Sequence, residues 1–395
     1  MAFAGNGMRA EGAHAIADQL LHLPHLSHVP LLAHLDLSMN GIGTEGARAL
    51  AGQLVHVPQL AHLNISINCI GAEGARAIAA KLSHMLQLTC LDLGNNGIGA
   101  EGAHAVADQL PHVPQLTHLD LGINGIGAEG ARAVAESLAD MPQLVHLDLG
   151  MNYIGAEGAH AISLHLPQLM HLNLGNNSIG AQGARAMADH LSQLQLTHLD
   201  LSENHMGAEG AHVIADQLSH MPQLAHLNLG QNFMRTQGAR AVADKLSHVP
   251  QLVHLNLRNN GIGSEGARAV ASQLLHVPQL AHLDLGNNGI GTEGAHTVAN
   301  QLSHVPQLVA LVLGNNDVQA EGARAIADKL WYVPQLTHLD LSTNAIGTEG
   351  AQAVTDELLH VPQLAHLDLG KNGIGAESAV ADQLSLVLRR SKLII

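Results

Sequence analysis

Histidine, carboxylate and hydroxyl recur together in this chain at a spacing that invites a chemical reading. Eleven times a histidine stands two residues before an aspartate or asparagine, from His34 and Asp36 to His366 and Asp368. Four of these series run on into a serine, at Ser38, Ser66, Ser202 and Ser342. Base, orienting acid and nucleophile are the ingredients of acyl transfer. Residues two apart on a strand share a face but run in a line. That line gives the hydroxyl no contact with the imidazole and builds no oxyanion hole. Catalysis also needs groups converging at one unique place, and a series copied along the chain supplies the opposite. These residues are read as surface, and the chain as non-enzymatic.

Metal and nucleotide chemistry fail on similar grounds. Histidines on neighbouring strands lie ~4.8 Å apart, whereas zinc gathers its ligands at about 2.0–2.1 Å. Glu357-Leu358-Leu359-His360 has the wrong spacing for a zinc-protease helix. Five stretches match G-x-G-x-x-G: 41–46, 97–102, 125–130, 261–266 and 289–294. Each has glutamate before its third glycine, where it repels a phosphate at a helix N-terminus. No metal and no cofactor is expected.

What places these residues is a repeat. The stretch from Leu116 to Ala135 recurs thirteen times, anchored by asparagines from Asn40 to Asn372. The step is 28 residues, except 25 before Asn177 and 27 before Asn204. Leu116, Leu119 and Leu121 alternate with polar residues, the period of a half-buried strand. Asn124 follows, where its amide can bond backbone groups of the turn; stacked copies would form a ladder inside the protein. Ala131, Val134, Ala135 and Leu138 then trace a helical stripe. Glu129 suits the first helical turn. Gly130 is expected to let helix and strand approach, and Pro142 to stop the helix. Packed helices need more room than paired strands, so the stack should curve with its strands inside.

The pattern resembles the leucine-rich repeat, L-x-x-L-x-L-x-x-N-x-L. Repeat length and the G-A-x-A-x-A helix are similar to the ribonuclease-inhibitor-like subfamily. The Ile-Gly-Ala-Glu-Gly-Ala-Arg-Ala runs resemble GALA-type and related bacterial effector repeats, and those of NOD-like receptors and Ran GTPase-activating proteins. The resemblance implies an α/β solenoid, a horseshoe with a parallel sheet on the concave face and helices on the convex face. It also implies a protein-binding scaffold: a bacterial effector translocated into host cytosol, or an inhibitor of another effector or enzyme. GTPase activation and ubiquitin-adaptor roles are the alternatives. A single repeat length and a near absence of cysteine depart from animal ribonuclease inhibitor.

The organisation read from the chain is one continuous domain. Residues 1–31 are a half-repeat around Asn6 plus a cap, 32–383 the thirteen repeats, and 384–395 a C-terminal cap or tail. The unit after Asn152 has lost three residues, which predicts a dent beside its helix. No run of ~20 apolar residues suits a membrane span, and Met1-Ala-Phe-Ala-Gly lacks the pattern of a secretory signal. Cys69 and Cys90 form no disulfide framework, and a reducing, cytoplasmic compartment fits them. The formal charge of −16 disfavours nucleic acid and favours a partner with a basic surface. The chain is expected to be monomeric before it meets that partner.

Irregular repeats mark the candidate binding residues. The outward columns of the later repeats comprise His226, His254, Asn256, Arg258, His282, Asp284, His338, Asp340, His366 and Asp368. Ala310 and Val312 interrupt them with an apolar spot. Phe233, Arg235, Trp331 and Tyr332 stand on the rim, and aromatic and arginine side chains are the usual anchors of interfaces. Outer histidines such as His56, His112, His248 and His304 are expected near helix C-termini. Thirty histidines against a formal −16 charge also imply a charge reversal near the sequence pI of about 6.0. Electrophoretic mobility should change sign between pH 7.5 and 5; one sign throughout would refute it.

Overall fold

The computed structural model describes residues 1–22, 32–166, 169–375 and the backbone of 392–394. The chain divides into two compact units, Met1–Leu196 and Thr197–Ile395. In the first unit strands alternate with helices after an opening helix α1 (Arg9–His22). They run β1 (His34–Asp36), α2 (Gly43–Leu54), β2 (His62–Asn64), α3 (Gly71–Ala79), β3 (Cys90–Asp92), α4 (Gly99–Ala107), β4 (His118–Asp120), α5 (Gly127–Leu138), β5 (His146–Asp148), α6 (Gly155–Leu164), β6 (His171–Asn173) and α7 (Gly180–Leu191). The strands pair in parallel and in register, so His118 faces His146 and Asp120 faces Asp148.

The second unit repeats the plan. It runs β7 (His198–Asp200), α8 (Gly207–Gln217), β8 (His226–Asn228), α9 (Arg235–Ala243), β9 (His254–Asn256), α10 (Gly263–Ser272), β10 (His282–Asp284), α11 (Gly291–Gln301), β11 (Ala310–Val312), α12 (Gln319–Ala327), β12 (His338–Asp340), α13 (Gly347–Glu357) and β13 (His366–Asp368). A last strand, β14 (Lys392–Ile394), pairs in parallel with β13. Residues 23–31, 376–391 and 395, where the sequence reading put most of its caps, lie outside the described residues.

Each element forms for a local reason and is held by its neighbour. In β4 the central Leu119 is buried, while His118 and Asp120 face away from the core. Helix α5 buries Ala131, Val134, Ala135 and Leu138, the stripe its period sets. No side chain of its own repeat caps the helix. Instead Ile126, the residue before it, donates its amide to Asn152 Oδ1 of the next repeat at 3.3 Å. Asn124 donates its amide to the same oxygen at 2.9 Å. The Asn124 Nδ2 group donates to the carbonyls of Leu93, Leu121 and Gly122 at 3.0, 3.0 and 3.2 Å. The buried asparagines thus join each repeat to the next within both units.

The half-repeat at the start enters this scheme as a structural repeat. Ala2 bridges Asp36 in parallel, and Asn6 donates its amide to Asn40 Oδ1 at 2.9 Å. Helix α1 buries Ala13, Ala17 and Leu20.

Two local expectations are corrected. The glycine inside each helix serves helix–helix rather than helix–strand approach: a methyl on Gly130 would lie 3.1 Å from Ala103 Cβ and 3.2 Å from Ala100 Cα, both in α4. Proline does not end the helix, since α5 stops at Leu138 and the Met141 amide closes a turn on the Leu138 carbonyl before Pro142. The outer histidines lie near helix C-termini as expected: His112, His248 and His304 end the 3-10 turns Leu110–His112, Leu246–His248 and Leu302–His304, and His56 lies two residues past α2. The buried leucine that opens each of these turns draws the chain inward before the proline. At the shortened repeat, α6 ends at Leu164 and the next strand begins at His171; residues 167–168 lie outside the described part.

Removing the Asn124 side chain takes the acceptor from the buried amides of Asn96 and Ile98, whereas the carbonyls of Leu93, Leu121 and Gly122 keep a second donor each. Asn124→Ala should cost about 3–5 kcal/mol, since each unpaired buried group costs about 1–3 kcal/mol. Urea unfolding measures the loss, and amide exchange should accelerate at Asn96 and Ile98, which lose their acceptor. A loss below about 1 kcal/mol would show that the ladder does not hold the repeats.

Candidate functional site

The outward faces of the strands carry the two columns that the spacing sets out. Histidine rings stack on the histidine of the next repeat: His34 on His62 with centroids 4.1 Å apart, His198 on His226 at 3.9 Å, and His338 on His366 at 4.3 Å. Burial lowers the pKa of His62, His146, His171, His254 and His338, and neighbouring histidines push the same way. The sequence left the sign open between aspartate and histidine neighbours; burial is the largest cause and decides it.

The second column is built into the backbone. Asp120 Oδ1 accepts the Gly122 amide at 2.8 Å, and Asp148, Asp284 and Asp368 accept the amide two residues on in the same way. The serines join this arrangement. Ser38 donates to Asp36 at 2.8 Å and Ser202 to Asp200 at 2.6 Å. These two hydroxyls serve the carboxylates, and Ser66 serves the Asn64 amide oxygen at 2.7 Å; none of the three bonds is a nucleophile–base contact. Burial raises the carboxyls of Asp92 and Asp284. Asp120 is raised to about 7, by burial first and then by the Asp148 charge, against the Gly122 amide.

In the first unit three such carboxylates, Asp92, Asp120 and Asp148, line a groove of 260 Å³. Glycines 94, 122 and 150 form part of its wall, with Ile67, Ile123 and Met151 at its rim. Among the described residues no group of three or more histidine, cysteine or acidic side chains is placed to hold a metal, and no helix is long and apolar enough to cross a membrane.

A family profile for the leucine-rich repeat matches twelve segments: 30–51, 59–79, 85–107, 114–135, 141–163, 165–188, 195–215, 250–271, 279–299, 306–327, 334–354 and 363–381. The chain belongs to the leucine-rich-repeat family. The stretch around Asn232, with its Phe233 and Arg235, falls between two matched segments. A search of curated proteins returned no match. Among solved structures, the leucine-rich-repeat chain is similar to a chain of the yeast Rad7–Elc1 complex, with a TM-score of 0.59 and 17% identity, over 98% of this chain and 92% of that one. At that identity the likeness is one of fold.

The residues singled out in the later repeats do not form one patch. His226 stacks on His254 with centroids 5.7 Å apart, His254 lies tilted against His282 at 5.2 Å, and Asn256 accepts the Arg258 amide at 2.9 Å. Arg258 is already engaged, its guanidinium 3.8 Å from Asp284. Ala310 and Val312 are half-buried, and Asp340 accepts the Ser342 amide. Phe233 is exposed just after its strand and stacks on His205, and Arg235 begins α9. Trp331 and Tyr332 stack on each other in a 3-10 turn that precedes its strand. The two aromatic sites therefore stand at opposite ends of the strands. Sequence reasoning passed over the groove of the first unit, although consecutive Asp-Leu-Gly triplets at 92–94, 120–122 and 148–150 mark it.

The raised Asp120 carboxyl has a signed consequence. A carboxyl whose folded pKa lies above its unfolded value stabilises the fold below about pH 4, and that stability is lost as pH rises through about 7. Asp92 and Asp148 face it from the neighbouring strands. Asp120→Asn should gain about 2–4 kcal/mol on the wild type between pH 4 and pH 8. Paired melts at the two pH values measure it; an equal difference at both would refute the raised carboxyl.

Proposed function

We propose that this leucine-rich-repeat chain is a non-enzymatic scaffold that binds another protein on the open face of its strands. One observation carries the reading. The outward side chains are held in place by backbone amides and by ring stacking, so they present a fixed, acidic, repeated surface. A pre-organised surface loses little freedom on binding, and the family uses its sheet face in this way. The yeast structure similar in fold was solved as a complex of two proteins. The −16 charge selects a partner with a basic surface. In this reading the chain is a monomer before binding. It works in a reducing cytosol, as a translocated effector or as an inhibitor of another protein, where Cys69 and Cys90 stay free.

A GTPase-activating role would need a free arginine on this face. Arg258, the arginine that the sequence places there, is tied to Asp284, and this favours the scaffold.

Affinity capture at pH 7.5 should recover one basic partner. Capture should weaken with rising salt and fail for a chain carrying charge reversals on the face of both units, Asp92→Lys, Asp120→Lys, Asp284→Lys and Asp368→Lys. Equal capture by both chains would move binding off the strand face and overturn the proposal.

A further inference from the structure

Equivalent positions of the two units carry different chemistry. Arg258 occupies the strand-exit position that Ser66, Gly94 and Gly122 hold in the first unit. Its guanidinium reaches over the glycine of the next repeat. A methyl placed on Gly286 would lie 2.9 Å from Arg258 Nη1 and 3.1 Å from Asp284 Oδ1. An arginine thus fills the niche that a missing side chain leaves beside a half-buried carboxylate.

The first unit repeats this niche with no arginine in it. A methyl on Gly94 would lie 3.1 Å from Asp120 Oδ1 and 3.2 Å from Asp92 Oδ1. One on Gly122 would lie 2.9 Å from Asp148 Oδ1 and 3.2 Å from Asp120 Oδ1. The described lining of this groove contains no lysine, arginine or histidine. Three carboxylates therefore face one space with no cation of the chain's own.

The rim differs as well. Ile67, Ile123 and Met151 are 43%, 46% and 46% exposed, and all three hold left-handed backbone, with φ of 55°, 57° and 56°. A β-branched residue there is a true outlier, whereas asparagine adopts that conformation readily. Four repeats of the second unit carry amides at the same position, Gln231, Asn259, Asn287 and Asn315, and three of them satisfy one another: Asn287 donates to Asn259 and Asn315 to Asn287, each at 2.6 Å. Around the groove the first unit keeps exposed apolar side chains at three of four such positions, with Asn95 the one amide among them.

Building on the scaffold reading, we infer that this groove docks an extended, arginine-bearing segment of the partner protein, its guanidinium over Gly94 or Gly122 and its apolar neighbours against Ile67, Ile123 and Met151. The planar guanidinium can bridge carboxylates on adjacent strands, which a lysine ammonium cannot do as well. It also relieves the mutual repulsion of Asp92, Asp120 and Asp148. Arg258 shows the same placement inside the molecule.

The test uses the full chain and a labelled acetyl-Leu-Arg-Leu-Arg-Leu-amide peptide, read by fluorescence anisotropy at low salt, with lysine and citrulline counterparts. The arginine peptide should bind, the lysine peptide should bind more weakly, and the citrulline peptide should not bind. Ser66→Arg copies Arg258 into the first unit. It should plug the niche over Gly94 and weaken binding about tenfold, as should Asp120→Asn with Asp148→Asn. Ile123→Asn should raise the melting temperature yet weaken binding, a split that a purely structural rim residue would not show. Arg258→Gly should leave binding in the first unit intact. No binding of the arginine peptide, equal binding of the citrulline peptide, or binding untouched by Ser66→Arg overturns the inference. If the peptide fails while partner capture survives, this inference falls alone; if the peptide docks while capture fails, the scaffold reading is the one at fault.

Discussion

The rest of the structure depends on a buried asparagine amide that has no free valence. Asn124 accepts two amides from the preceding repeat and donates to three carbonyls, one of them also in that repeat. Hydrophobic burial would stack such repeats in any register, because it has no direction. The amide is directional, and an unmade bond in the interior is costly, so it admits one register. It also does the work of a helix cap: Ile98 and Ile126, each the residue before a helix, donate their amides to the asparagine of the next repeat. A strand, a turn and a helix start are thereby held by a single side chain. The residue before each asparagine takes left-handed backbone as a consequence, whatever its type, as at Ile123 and Lys371.

With the backbone so determined, the outward side chains vary without disturbing the fold. The same sheet position carries an unneutralised carboxylate beside glycine in the first unit and an arginine–aspartate pair in the second. The same rim position carries isoleucine in one and a self-satisfied amide ladder in the other. Asp120 is half-buried between parallel strands, where burial and like charge raise it further than a single amide bond lowers it. Asp120 is therefore the carboxylate of the column whose charge changes near neutral pH. His62, His146, His171, His254 and His338 respond to burial with the opposite sign, since their charged form is the protonated one.

Much of this was legible in the residues. The 28-residue step, the leucine alternation, the helical stripe and the anchor asparagine are periodic, and periodicity survives in one dimension. The membership of Ala131, Val134 and Leu138 in the core, the ladder through Asn124, and the outward histidine and aspartate columns all followed from it. The candidate site was legible only in part. Arg258 and Val312 stood out as departures from the repeat, but their neighbours did not: the residues that decide what Arg258 does, Asp284 and Gly286, belong to the next repeat.

By itself, then, the sequence determined the repeat, the fold class and which side chains face outward, because each depends on spacing within one repeat. Tertiary structure alone decided that Gly130 spaces two helices, that Ser38 and Ser202 serve carboxylates, that Arg258 is engaged, and that an open acidic niche lies between Asp92 and Asp148. The physical reason is distance along the chain. Each of these last facts except the serine bond sets a residue against the adjacent repeat, about 28 positions away, and the serine bond needed a rotamer that only packing selects. A pattern repeated in every unit can be read from one unit, whereas a departure from the pattern acquires meaning only from the side chain stacked beside it.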